Sequence, residues 1–243
     1  MAVLAGLPIN AQIAEPILTK TAIPFVPEAG GIKLDYAGGI GRAGGNSQVI
    51  PEGAFEIGVY QRLELLARFP LLRVTGQSQD SSVIGGGQLA VGGRYLLAGG
   101  AERDYAVSVQ AIVEAPTGDT RLVGNATQVM PSVFANWHPA QKIVIYSNLT
   151  VDRSLGGGVP KSAFLEYANA VAWSATSHVI PVFELAGSTN TITGRTQLVA
   201  QPEMILRTGS NLELKAGVQR GLNPQTAHTG IRAQIAWFWG KRK

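Results

Sequence analysis

The sequence predicts an all-β fold, a transmembrane antiparallel up-and-down β-barrel of about 12 strands. Three observations support this prediction. Apolar and polar residues alternate with period two, short and long connections alternate along the chain, and aromatic residues gather at strand ends. The chain has 243 residues, 45% of them hydrophobic and 15% charged, which is not the composition of a disordered protein. No apolar run reaches the ~18 residues of a transmembrane helix.

The clearest alternation lies in residues 55–69, FEIGVYQRLELLARF. One face carries the apolar residues Phe55, Ile57, Val59, Leu63, Leu65, Ala67 and Phe69. The other face carries Glu56, Gly58, Glu64 and Arg68. A tight polar turn separates the two halves, so the segment predicts a β-hairpin with one apolar and one charged face.

Twelve strands are predicted at 31–39, 49–60, 63–73, 85–97, 104–115, 128–138, 142–153, 162–174, 179–188, 195–206, 211–221 and 229–239. Most are longer than the ~5–6 residues of a soluble sheet and suit a tilted bilayer crossing. Short turns are predicted at 61–62, 98–103, 139–141, 175–178 and 207–210. Longer loops are predicted at 40–48, 74–84, 116–127, 154–161, 189–194 and 222–228. This alternation is typical of outer-membrane barrels and is not expected of a Greek-key sandwich.

Aromatic residues at strand ends support the same prediction. Beside short turns or the C-terminus lie Tyr60, Tyr105, Trp137, Trp173, Trp237 and Trp239. Amphipathic rings gather at lipid–water interfaces, so these six are expected to form an aromatic girdle. The alternative, aromatic residues in the core of a soluble sandwich, predicts a mid-strand position instead.

Three regions follow from this interpretation. Residues 1–28 read as an export-signal remnant and an irregular segment, although a flexible tail explains them equally well. Residues 29–239 form the predicted barrel, and 240–243 form a basic tail. Pro181 and Pro202 fall inside predicted strands, where proline cannot donate to a ladder, so a bulge or a strand start is expected at each.

Four motifs occur in order between residues 52 and 239: Gln61-Arg62-Leu63-Glu64-Leu65, Gly92-Gly93-Arg94-Tyr95-Leu96-Leu97, Glu114-Ala115-Pro116-Thr117-Gly118-Asp119 and Phe183-Glu184-Leu185. Together they resemble a turn-Arg-Leu-Glu-Leu element, a Gly-x-Lys-Tyr-x-Leu strand, a Leu-Pro-Thr-Gly-Asp strand end and a later Glu-containing strand. These elements characterise the family of outer-membrane proteins named for the "MetA-pathway of phenol degradation". The resemblance implies a barrel of twelve or a similar number of strands, which passes hydrophobic or aromatic compounds across the outer membrane, and it brings no catalytic residues.

Charged residues of the predicted strands are expected to face the lumen, because Arg or Lys at mid-depth of a bilayer costs roughly 2–4 kcal/mol. The lumen-lining candidates are Glu56, Glu64, Arg68, Arg94, Glu114, Glu184, Glu203, Glu213, Lys215 and Arg232. Two interpretations stay open at this point. These side chains either line a path for a solute or plug a small barrel with an internal network of ion pairs.

Other site types are not predicted. The chain lacks cysteine, which excludes thiolate metal sites, and its net charge of +4 is too small to indicate nucleic-acid binding. His138, His178 and His228 are expected far apart, in turns and a loop, so no metal site is predicted. With no histidine expected inside a strand, a Ser-His hydrolase is not expected either, and we predict no enzyme activity and no cofactor.

The expected partners are outer-membrane lipid and a small-molecule solute. Basic residues gather on the side of the long loops: Arg42, Arg73, Arg121, Arg153, Lys161, Arg195 and Arg220. Some of them could pair with phosphates of lipopolysaccharide, or they could be ordinary solvated charges. The sequence therefore predicts a monomeric channel of the bacterial outer membrane with both termini in the periplasm. The alternatives are a closed structural or interaction barrel and, less favoured, a soluble β-sandwich binding module.

Overall fold

The computed structural model describes residues 31–43, 46–49, 51–60, 62–75, 82–100, 103–119, 126–156, 163–209, 211–226 and 228–239. The predicted export-signal segment, 1–28, and the basic tail, 240–243, lie outside these residues. Among the described residues, no helix has the length and apolar character needed to cross a bilayer.

Fourteen strands make up almost all of the described chain. They are β1 (Ile32–Ala43), β2 (Asn46–Val49), β3 (Glu52–Tyr60), β4 (Leu63–Thr75), β5 (Ser82–Gly86), β6 (Leu89–Gly99), β7 (Tyr105–Ala115), β8 (Thr127–Ala140), β9 (Ile143–Leu155), β10 (Ala163–Trp173), β11 (Val179–Asn190), β12 (Thr196–Thr208), β13 (Leu212–Gly221) and β14 (His228–Trp239). A short 3-10 turn at Pro224–Thr226 precedes β14.

The strands form one closed antiparallel sheet. Except for β2 with β3 and β5 with β6, strands neighbouring in sequence pair with each other, and β1 also pairs with β14, from Ile32↔Trp239 to Ala43↔His228. The strands β2 and β3 lie end to end and keep one register against β1, whereas β5 and β6 follow one another along β4. The fourteen strands thus form a barrel of twelve, as predicted, and a single closed sheet is not a β-sandwich.

The two ends of the barrel differ in the connections that they carry. We call the end with the connections at 61–62, 100–104, 141–142, 174–178 and 209–211, together with Ile32 and Trp239, the turn end. The opposite end, the loop end, holds the connections at 44–45, 76–81, 116–126, 156–162, 191–195 and 222–227. The predicted long loop at 40–48 is wrong, because β1 continues to Ala43 and β2 begins at Asn46. Within that range, Ile40, Gly41, Arg42 and Ala43 pair with β14.

The two prolines behave differently from each other. Pro181 lies near the start of β11, as expected. Pro202 lies in the middle of β12, where the register against β13 is the same on both sides, at Ala200↔Arg220 and Glu203↔Gly217. The predicted bulge at Pro202 is therefore wrong. The ladder accommodates the missing donor by leaving a local gap without a shift in register.

The period-two alternation becomes an outer and an inner face of the barrel. Large apolar side chains on the outside remain exposed, as at Leu65, Val91 and Val133 with 45, 50 and 47%. Their neighbours on the same strands point inward and are buried, as at Glu64 and Phe134. An apolar exterior of this extent is typical of a surface that contacts lipid or a partner protein.

We predict that Gly92→Ala destabilises the barrel. Its Cβ would collide with the backbone carbonyl of Ala111, and backbone cannot move aside as a flexible side chain can. Overpacking of this kind costs about 1–3 kcal/mol. The measurement is the free energy of unfolding in urea, with folded protein quantified in micelles from the mobility shift between unboiled and boiled gel samples.

Gly53→Ala is the matched control, since a Cβ at Gly53 has no heavy atom within 4 Å. We expect this control to unfold at the wild-type urea concentration or slightly above it. Equal stability of the two alanine variants would contradict the packing argument.

Candidate functional site

All ten predicted lumen residues lie on the inner face of the barrel. Seven of them, namely Glu56, Glu64, Arg94, Glu184, Glu203, Glu213 and Lys215, are buried. Arg68, Glu114 and Arg232 are half-buried and lie nearer the loop end. Buried charges require partners, because an isolated charge in a medium of low polarity is strongly destabilising. The arrangement of these partners divides the lumen into two halves.

Lys33 holds together the first charged cluster of the lumen. Its Nζ atom lies 2.7 Å from Asp35 Oδ2 and 3.1 Å from both carboxylate oxygens of Glu56. The Lys33 side chain is completely buried. One cation therefore bridges two carboxylates on the neighbouring strands β1 and β3.

Arg94 holds together the second cluster, on β4, β6 and β7. Its Nε and Nη2 atoms donate to Gln110 Oε1 at 3.2 and 3.1 Å, and Nη1 lies 3.8 Å from Glu64 Oε1. The guanidinium carbon also lies 5.1 Å from the centre of the Phe134 ring, within range of a cation–π interaction. These contacts fix Arg94 across the middle of the lumen.

The third cluster lies on β11, β12 and β13. Arg207 Nε pairs with Glu213 Oε1 at 3.0 Å. The Gln201 amide nitrogen donates to Glu184 Oε1 at 3.0 Å and to Glu203 Oε2 at 3.2 Å. Gly217 on β13 makes room for this contact, because a Cβ there would lie 3.0 Å from Gln201 Cγ.

Apolar side chains fill the spaces between these clusters at the turn end. Tyr146 and Ile205 are fully buried, and they pack with Val144, Ile180 and neighbouring alanines. Phe134 packs with Leu96 and Ala106, and Phe238 packs with Ala236. We call this filled half of the lumen the turn-end floor. The ion pairs and apolar side chains of this half match the interpretation of an internally plugged barrel.

The other half of the lumen contains a cavity of about 590 Å³, which we call the loop-end cavity. Its wall on β4, β7 and β8 carries four apolar side chains, Leu66, Ile112, Met130 and Phe134, together with Arg68, Gln110 and Ser132. Its wall on β11–β14 is polar, with Ser188, Gln197, Gln219, Arg232 and Gln234. The volume lies within the range of small-molecule sites. Small inner residues on β1 and β3, including Ala37, Gly39 and Ala54, leave this space empty of side chains.

The rim of this cavity is predominantly acidic. Arg68 pairs with Glu114 at 3.5 Å, and Asp152 and Glu52 act electrostatically on the same carboxylate. Glu166 points inward on β10 beside this group and also lines the cavity. The rim therefore carries more negative than positive side chains among the described residues.

Several inner residues are not among the ten predicted lumen residues: Lys33, Asp35, Glu52, Arg207, Glu166, Gln110 and Gln201. The signal for Lys33 and Asp35 was present, because they alternate with Ile32, Leu34 and Tyr36. Arg207 was assigned to a turn, whereas β12 continues to Thr208. Gln110 and Gln201 are uncharged, and the lumen residues were predicted from charge alone, so these two were not identified.

The six predicted girdle residues are all exposed on the outer surface at the turn end. Their positions suit an interface with lipid headgroups. Of the basic residues predicted on the loop side, the structure describes the side chains of Arg153, Arg195 and Arg220, and all three are exposed. The side chains of Arg42 and Arg73, and residues Arg121 and Lys161, lie outside the described part.

One expectation about the histidines is wrong, namely the position of His138 in a turn. His138 was expected in a turn, but β8 continues to Ala140 and places His138 inside a strand, buried and facing the lumen. His178 lies in a turn, and His228 begins β14. Within the described ranges, no group of three or more His, Asp or Glu residues could hold a metal ion.

No protein-family model and no curated protein match this chain. Solved structures do match. The COG4313 outer membrane channel from Pseudomonas putida F1 has a TM-score of 0.71 and 11% sequence identity, covering 94% of this chain and 100% of that chain. The KdgM porin in complex with disordered oligogalacturonate has a TM-score of 0.59 and 9% identity, covering 86% and 99%. The NanC porin has a TM-score of 0.59 and 9% identity, covering 84% and 98%. At such identities the likeness shows a shared barrel fold.

We predict that Lys33→Met strongly destabilises the barrel. The substitution leaves Asp35 and Glu56 buried beside each other without their cation, and removing one partner of a buried pair costs about 3–5 kcal/mol. The free energy of unfolding in urea measures this loss. Adding Asp35→Asn and Glu56→Gln to the variant should restore part of the stability, because no uncompensated charge then remains.

Lys142→Met serves as the control, since Lys142 is exposed in the turn between β8 and β9. Its effect should stay within about 0.5 kcal/mol of the wild type. If both methionine variants unfold alike, the Lys33 cluster does not stabilise the lumen.

Proposed function

We propose that this chain is an outer-membrane channel protein that admits small hydrophobic or amphiphilic solutes, aromatic compounds among them, to its loop-end cavity. One observation carries the proposal. The closed barrel has an apolar exterior and contains a cavity with an apolar wall and a polar wall. A purely structural barrel has no need for such a cavity.

The apolar exterior and the exposed aromatic residues at the turn end support a position in the outer membrane. In outer-membrane barrels, short turns face the periplasm and longer loops face outward. The turn end is therefore proposed as the periplasmic end, where Ile32 and Trp239 lie side by side. Arg153 and Arg220, exposed near the loop end, are available to phosphates of lipopolysaccharide.

The turn-end floor supports a second candidate function. Fully buried side chains such as Tyr146, Ile205 and Glu213 fill the lumen there and oppose free diffusion of ions. A barrel sealed in this way could serve only as a structural or interaction module. In the channel proposal, solutes enter the loop-end cavity and pass the floor only when its side chains rearrange.

Uptake of the fluorescent hydrophobic probe N-phenyl-1-naphthylamine by Gram-negative cells distinguishes the two candidates. Cells that express the wild-type barrel should take up the probe faster than cells without it. Ala54→Phe, which fills the cavity from β3, should abolish the increase. Ala135→Phe, on the outer side of β8, should leave it unchanged.

Conductance in planar bilayers tests the floor separately. We expect low conductance for the wild type and higher conductance for Tyr146→Ala combined with Phe238→Ala, since both rings are buried in the floor. A gel mobility shift on boiling verifies that each variant is folded. Wild-type uptake equal to that of empty cells would favour the structural barrel over the channel.

A further inference from the structure

The two walls of the loop-end cavity face each other across the barrel. Met130 and Phe134 lie on β8, which is the sixth strand of the ring of twelve. Arg232 and Gln234 lie on β14, which is the twelfth and is therefore diametrically opposite. A solute that spans this cavity can contact Met130 and Phe134 at one end, where the paired Arg94 lies over the Phe134 ring, and the Arg232 guanidinium group at the other.

Arg232 differs from the other cations that line this cavity. Arg68 pairs with Glu114, and Arg94 pairs with Glu64. Arg232 has no ion pair within 4 Å among the described residues, and its Nε atom donates to Gln219 Oε1 at 3.2 Å. Within the same residues, both Nη groups of Arg232 keep their donors for a ligand.

The backbone beside Arg232 leaves room for that ligand. Gly39 pairs with Arg232 across the β1–β14 ladder, and a Cβ on Gly39 would lie 3.3 Å from Arg232 Cγ. The next inner position on β1, Ala37, is also small and lines the same cavity. A larger side chain at Gly39 would therefore crowd the Arg232 side chain.

We propose that Arg232 binds the head of a monoanionic amphiphile, namely a monocarboxylate with an apolar body, and that the wall of Leu66, Ile112, Met130 and Phe134 binds that body. A guanidinium group and a carboxylate form two parallel charge-assisted hydrogen bonds. This inference deepens the proposed function and rests on it, because it names the class of solute that the cavity admits.

The surrounding carboxylates restrict the charge of the ligand. Glu52 and Glu184 act electrostatically on Arg232, and Glu166 lines the same cavity. One unpaired guanidinium can balance a single negative charge, whereas further charges on the ligand would be repelled by these carboxylates. Polyanions are therefore disfavoured, and a cationic amphiphile is the competing class of solute.

Binding of three probes with one apolar body tests the proposal: 3-phenylpropionate, 3-phenylpropan-1-ol and 3-phenylpropylamine. Calorimetric titration of the folded barrel in lipid nanodiscs gives the three dissociation constants. We expect the carboxylate to bind about 10-fold more tightly than the alcohol, as for a hydrogen-bonded charged group, and the amine to bind most weakly.

Four variants test which residues cause the preference for the carboxylate over the alcohol. Arg232→Gln should reduce carboxylate affinity to that of the alcohol, whereas Arg220→Gln, on the outer surface, should change nothing. Met130→Gln should weaken the carboxylate and the alcohol by the same factor. Glu52→Gln should strengthen carboxylate binding, because it removes an opposing charge.

Three results would overturn the inference, and the first two are equal binding of carboxylate and alcohol by the wild type and an undiminished carboxylate preference in Arg232→Gln. Tighter binding of the amine would also overturn it. In each case, probe uptake that still depends on the cavity would leave the proposed channel function standing. Failure of uptake and of all binding would remove both.

Discussion

The ladder between β1 and β14 is the interaction on which the rest of this structure depends. It pairs the last two free edges of the sheet along the whole length of Ile32–Ala43 and His228–Trp239. In apolar surroundings each unpaired backbone group would cost several kcal/mol, so an open sheet of this kind is not a stable alternative. Closure also defines an inside and an outside. Only then does the alternation along each strand separate apolar side chains, which contact the surroundings, from charged ones, which contact each other.

The interior is graded in side-chain size from one end to the other. At the turn end, long charged residues such as Lys33 and Arg207 reach across neighbouring strands, and aromatic residues such as Phe238 fill the remaining volume. Towards the loop end, inner positions of β1 and β3 such as Ala37, Gly39 and Ala54 hold small residues and leave room for the cavity. A barrel of constant width thus acquires a floor and a chamber from residue size alone.

Much of this fold could be predicted from the sequence, because the period-two pattern is a local property. The twelve strands, their antiparallel order and the inward direction of residues such as Glu64 and Glu213 follow from it. Cross-strand partners do not, because the pairing of Lys33 with Glu56 requires the register of β1 against β3. The cavity was also beyond prediction, since it depends on which small inner residues meet at one height, and strand tilt and shear set that height. For a related reason, the sequence pattern does not show that glycines such as Gly41 belong to β1. Their strand conformation is stabilised by a partner almost 200 positions away in sequence.

That same ladder gives the chain the geometry of a ring. Ile32 and Trp239 are directly paired, so a short linker could join them while the chain was opened at any turn, and every ladder would be retained. In such a permuted chain the β1–β14 pair would become an ordinary hairpin. The pairing between strands far apart in sequence would then be made by the first and last strands of the new chain. Which two strands close the barrel thus depends on the position of the chain termini. The closed barrel itself has no first or last strand.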